Sequence, residues 1–428
     1  MRVPDWFDRL AAHPLFLCGF RPLFFAAATY AVLALLSWLG FLAAGIALPS
    51  VPGGPVAWHA HELLFGFGLA AVTGFVLTAI PEFTGTASFG SRIALAFSLL
   101  WLAGRVLFWS SGVIGVWPAA LAHIGLVVWL VALLAPRILR DPELRHLDFL
   151  LWGLAPLALT VIGFYVDALR GDYPMRWLHA AIGVMMLLIV LAMSRISMRI
   201  VNDALEALRE RGMDAGNYYS RPPRRNLALF AIAVYTAAEF FVPHTAFSGW
   251  LGLVAAAALF NQLNDWHVGR ALFDRWSAMG YAMYWLMALG YAALGLSALD
   301  AGIAPSAGTH LLTVGAMGLS TLAVLCIAGR IHAGYVADPR SWVLFAATLL
   351  VIAALLRALS GFAGEHAALL LMLSGLGWVA AFLLATFYLG GGWLRPRVDG
   401  GIGCEEVREG EAAVEVVHAF RVQGPEHE

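Results

Sequence analysis

Imidazoles and guanidiniums are the side chains in this sequence best able to do chemistry. Of 428 residues, 13 are His and 26 are Arg, and there is no Lys. Neutral imidazole is a ligand for iron and for copper, and two imidazoles on neighbouring helices can hold a haem from opposite faces. His59 and His61 lie in WHAHE (58–62), His179 in WLHAAIGVMM, His310 in GTHLLTVGAMG and His332 in GRIHAGY. The first three stretches run on into small residues, among them Gly66, Gly68, Gly183 and Gly315, which permit close helix approach or room for a flat ligand. Histidines at helix ends also serve as interfacial anchors, so each position carries that plainer reading beside the metal one. Cys18, Cys326 and Cys404 are odd in number and far apart, without a CxxC pair. That argues against a thiolate zinc site and against covalent haem attachment, so a bound haem is expected to be non-covalent.

Spacing limits what these groups can share. His59 and His61 are two residues apart, about 200° around a helix, so they face different partners. One can ligate a metal while the other turns to a second metal or to Glu62. His310 and His332 would lie about 33 Å apart on a continuous helix and cannot share a metal. Three ionisable residues sit inside apolar runs, where each costs at least ~2.5 kcal/mol: Arg105, Arg357 and Glu239. Either Arg pairs with Glu239 to tie helices together, or it holds a haem propionate. Glu82 beside Pro81 is expected to serve a loop, and Asn261, Asn264 and Asp265 to form either a polar plug, the plainer reading, or part of a proton path. Met185, Met186, Met193 and Met198 suggest either a copper(I) path or ordinary helix filling, the commoner use of Met.

The elements that position these residues follow from composition. The chain is 61% hydrophobic and 12% charged with a net charge of -1, at a mean hydropathy of +0.79. Soluble domains carry about a quarter charged residues, so a soluble enzyme, a disordered chain, a basic nucleic-acid binder and a disulfide-stapled secreted domain are all excluded. Windows of about 20 residues, enough to cross a hydrocarbon core of about 30 Å, predict an all-α polytopic membrane protein with about twelve spans. They fall near 23–46, 58–83, 93–111, 113–135, 147–168, 177–198, 226–243, 247–265, 277–299, 306–328, 341–362 and 366–392. With both termini cytoplasmic, 22 of the 26 Arg fall on the cytoplasmic side, as the positive-inside bias requires. His59, His61, His179 and His310 then open even-numbered helices at the outer face, and His332 lies inside. The predicted organisation is a cytoplasmic leader (1–22) without a cleavable signal, a membrane domain (23–392) and a polar cytoplasmic tail (393–428), with a short amphipathic helix ending at Gly212.

GFRPLFF (19–25) followed by WHAHELLFGFGLAAVTGFVLTAIPEFTG (58–85) resembles the NnrS family, and THLLTVGAMG (309–318) agrees with it. The resemblance spans about residues 15–392. It makes Trp58, His59, His61, Glu62, Gly66, Gly74, His179, His310, Gly315 and His332 motif positions. Ile327 and Phe83 depart from it, standing where relatives tend to carry Arg and Trp. The family implies bound haem b and copper, the bacterial inner membrane, and protection against nitrosative stress. His59, His61, His179 and His310, with Arg105 and Arg357, are the cofactor-binding candidates. His59, His61, His179, His310 and His332 are the metal-ligand candidates.

Two function classes follow. One is a haem–copper membrane protein that binds or turns over nitric oxide or a related species at a His-ligated site near the outer face. Turnover would need electrons from a quinol or a soluble donor. The other is a transporter for metal, haem or a nitrosyl-iron species, which matched helix breaks in the two halves would favour; the sequence shows no clear matched pair. Lipid is the expected surroundings, and no nucleic-acid partner is expected.

Overall fold

The computed structural model describes residues 4–139, 148–401 and 403–404. Most of the expected polar tail, with Arg140, Arg145, Arg408 and Arg421, lies outside the described residues. Among these residues no strand occurs, and long helices follow one another. They are α1 (Phe20–Ala44), α2 (Gly54–Phe83), α3 (Ser91–Trp109), α4 (Trp117–Leu139), α5 (Asp148–Arg170) and α6 (Met175–Glu210). Then come α7 (Pro222–Phe241), α8 (Ala246–Leu263), α9 (Arg275–Ala298), α10 (Pro305–Ile331), α11 (Trp342–Leu359) and α12 (Ala367–Trp393).

Eleven of them are long and apolar enough to cross a membrane. The exception is α7, which is 20 residues long but carries Arg224, Arg225 and Glu239 within its length. The chain is therefore an all-α polytopic membrane protein. Two expectations are corrected: no separate amphipathic helix precedes Gly212. Instead α6 runs on for 36 residues, longer than the hydrocarbon core needs, and Gly212 ends it with a φ of 77°. Nor is Asp265 part of a plug, since it lies 2.6 Å from Arg224 and ties the start of α7 to the end of α8.

Consecutive helices pack on one another, and α12 packs back on α1. The innermost spans are α2, α6 and α10, whose most apolar windows are 78%, 67% and 67% buried. These are the three helices that carry His59 and His61, His179, and His310. Both α2 and α10 contain one π-helical stretch, Glu62–Gly68 and Leu311–Met317, each beginning directly after a His. Such wide turns are rare and cluster at functional sites. They are the matched pair of helix irregularities that the sequence did not reveal.

The ends of α1 and α12 are tied together by Arg21 of GFRPLFF. Its buried guanidinium donates to the carbonyl oxygens of Pro14 (3.2 Å) and Arg395 (2.7 Å) and approaches that of Trp393 (3.5 Å). This satisfies carbonyls that a helix C-terminus leaves without partners. After Trp393 the chain turns back beneath the bundle, where Arg397 holds Asp399 at 2.6 Å. Cys404 there forms a disulfide with Cys18, 386 residues away, at a Cα separation of 5.2 Å. Distance in sequence hid this pairing. In the turn after α10, burial pushes the Asp338 carboxyl up. Hydrogen bonds from the Arg340 side chain and backbone and from Trp342, together with the charge of Arg330, outweigh burial and hold it at about 2.

Candidate functional site

His59 and His61 part company as their spacing requires. His59 faces a chamber of about 430 Å³ with walls from α1, α2, α6, α10, α11 and α12. His179, His310 and Arg357 line the same chamber, and so does His244 from the turn before α8. The structure therefore brings together His59, His179, His310 and Arg357 of the sequence candidates. It does not bring His61, Arg105 or His332 to them.

The chamber's imidazoles are not equivalent. His310 Nδ1 lies 2.7 Å from the carbonyl oxygen of Ser306 one turn earlier. A carbonyl can only accept, so Nδ1 carries the proton and Nε2 keeps its lone pair. A backbone acceptor that fixes the tautomer in this way is the usual second partner of a metal-ligating His. The His59 ring stacks on Trp38 at 4.4 Å between centroids. Its buried Nδ1 has no hydrogen-bond partner, which is costly unless something else meets the ring. His179 is exposed at the rim. Arg357 donates to Ser360 Oγ at 3.2 Å, and no carboxylate among the described residues pairs with it. Glu239, its expected partner, instead lies 3.4 Å from His244.

His61 belongs to a fully buried polar network on the other side of α2. Its Nδ1–H donates to Glu62 Oε1 at 2.7 Å, and its Nε2 accepts from the Tyr165 hydroxyl at 2.9 Å. Arg105 Nη1 reaches the same Glu62 oxygen at 2.7 Å. The second oxygen accepts from the Tyr30 hydroxyl and, at 2.8 Å, from Trp109 Nε1. Arg105 also donates to His123 Nε2. That leaves His123 Nδ1–H to donate to the Ala119 carbonyl at 2.8 Å, with the Tyr165 oxygen 2.8 Å away. Glu62 has four partners in this assignment. Arg105 is thus corrected from a propionate candidate at the chamber to the counter-ion of a buried carboxylate. Its pairing with Glu239 is likewise replaced by one with Glu62.

The third grouping lies at the opposite end of the bundle. His332 stands 3.5 Å from Glu82, and its Nδ1 is 3.2 Å from the Cys404 carbonyl. Both side chains line a cavity of about 140 Å³ with Arg195 and Arg199. Glu82 therefore faces His332 across the helix ends, and the separation of His332 from His310 is as their spacing requires.

Sequence reasoning missed Trp38, Tyr30, Trp109 and Tyr165, and did not count His123 among the site candidates. All lie on helices apolar on most faces, where no periodic stripe marks an inward position. Among the described residues no three His, Cys, Asp or Glu side chains converge on one point as a metal cage. A haem asks for less, only one or two imidazoles and room. The lone pair of His310, the unpartnered His59 nitrogen, an Arg357 that no carboxylate among the described residues neutralises, and the chamber's volume fit that demand.

No curated protein matches the chain. The NnrS protein family matches residues 14–397, nearly its whole length. With the His-bearing inner helices and the membrane architecture already described, that match places the chain in the NnrS family, membrane proteins of the nitric-oxide response.

Proposed function

We propose that this protein binds a non-covalent b-type haem in the chamber between α2 and α10, and there binds or turns over nitric oxide or a related species. The observation that carries this reading is His310. Its proton is held by Ser306, and its free nitrogen belongs to a ring lining a chamber of about 430 Å³. When bound, the haem iron would supply a site for a diatomic ligand and a one-electron couple. His310 would hold the iron from α10. His59, braced by Trp38, would be the second imidazole available to it. Arg357, which pairs with no carboxylate among the described residues, would neutralise a propionate. Turnover would draw electrons from a quinol or a soluble donor. The distribution of Arg argues that the chamber lies at the outer face of a bacterial inner membrane.

Copper, which the family resemblance also implies, has less support. Among the described residues no three-residue cage forms, and His179 and His244 at the rim are the remaining imidazoles open to it. A second reading, transport, is favoured by the matched π-helical stretches in α2 and α10.

Purified protein should give the pyridine haemochrome spectrum of haem b, and His310→Ala should lose most of it. Arg357→Gln should weaken haem retention without abolishing it. Purified protein free of haem b, or a His310→Ala variant with full haem content, would sink this reading.

A further inference from the structure

The His-lined chamber is the first of three cavities strung along the seam between α2, α6 and α10. A middle cavity of about 80 Å³ shares Met317 with the chamber. On its other side it shares Phe24, Phe75 and Val324 with the cavity that holds Glu82 and His332. Among the described residues no ionisable side chain lines the middle cavity. The Ser320 hydroxyl on its wall is already engaged with the Met317 carbonyl at 3.0 Å. An ion there would surrender its water with little in return, a cost of several kcal/mol or more. An uncharged, weakly polar molecule faces no such barrier, and apolar cavities in proteins stay dry and take up xenon. On the rim, Ile189, Ala192 and Thr321 are only half-buried. The cavity thus opens towards the flank of the bundle, which membrane hydrocarbon would cover.

Two side chains govern the way through. Met317 closes the π-helical stretch of α10 and forms wall on both sides. Its unbranched thioether has three rotatable bonds and can swing aside. Gly68 closes the matching stretch of α2. A Cβ on Gly68 would stand 3.4 Å from the Met185 methyl and 3.7 Å from the Met317 sulfur, so the glycine keeps that space open.

We propose that the middle cavity is an uptake site for an uncharged diatomic gas, which passes from the lipid flank past Met317 into the chamber. Only the destination rests on the haem reading above. The cavity and its selectivity for uncharged ligands stand on their own lining. The same lining argues against passage of metal ions along this seam.

Xenon is the probe that needs no haem. In xenon-pressurised crystals of the full-length protein, anomalous density should appear beside Gly68 and Met317. It should vanish in Ala71→Phe, which fills the cavity from α2, and in Ala192→Phe, which fills it from α6. In the haem-loaded protein, carbon monoxide rebinding after flash photolysis should slow several-fold in both variants at unchanged haem content. An absence of xenon from the middle cavity of the wild-type protein overturns the proposal. So does unchanged rebinding in a variant that has lost its xenon. Xenon uptake by a protein that carries no haem would refute the haem reading and leave the uptake site standing.

Discussion

Glu62 is a buried carboxylate inside a membrane bundle, tolerable only because Arg105, His61, Tyr30 and Trp109 all turn towards it. The desolvation of such a pair nearly cancels its attraction, but removing one partner strands the other. Arg105→Leu should therefore destabilise the protein by about 3–5 kcal/mol. The double variant Arg105→Leu/Glu62→Leu should cost clearly less than the sum of the single changes. Thermal melts in detergent, arranged as a double-mutant cycle, measure the difference. Additive losses would show that the two residues act independently. The sequence flagged Arg105 as an expensive charge and His61 as facing away from His59. It offered Glu62 as a partner for the second His, but not the rest of the network, because Tyr30 and Tyr165 look like ordinary aromatic filling in apolar helices.

Helix α10 approaches its neighbour α9 through glycine. Gly308, two residues before His310, sits so close to α9 that a Cβ would lie 2.6 Å from the Gly290 carbonyl oxygen and 2.8 Å from the Leu294 nitrogen. Both are backbone atoms and cannot rotate away. Gly308→Ala should push α10 from α9 at a cost of about 1–3 kcal/mol, displace His310 and lower haem content together with Tm. Gly125→Ala on α4 is the control, since nothing lies within 4 Å of a Cβ there. Equal effects of the two changes on haem content would mean that α9–α10 packing does not position His310. The small residues after each His were visible in the sequence as a packing face. The π-helical stretches were not, because a one-residue widening of a helix leaves hydrophobic periodicity nearly intact.

For the whole molecule, the uneven placement of Arg predicts that the end bearing Glu82, His332 and the Cys18–Cys404 pair faces the cytoplasm. Cytosolic reductants would then keep those two cysteines as thiols in growing cells and allow the disulfide only on oxidation. A reporter fused to the C-terminus that works only in the cytoplasm should be active. A periplasm-specific reporter should be silent, and the opposite result would invert the molecule and move the chamber to the inner face. What the sequence determined by itself is local. Length and apolarity mark the membrane helices, because a span must fill about 30 Å of hydrocarbon with its own backbone satisfied. Helix geometry separates His59 from His61 and His310 from His332 without any tertiary contact. Only the tertiary structure decided that Arg105 answers Glu62, that Cys18 meets Cys404, and that His59, His310 and Arg357 share one chamber. Such contacts join helices that are apolar almost all round, and no stripe on one helix announces which face its neighbour will take.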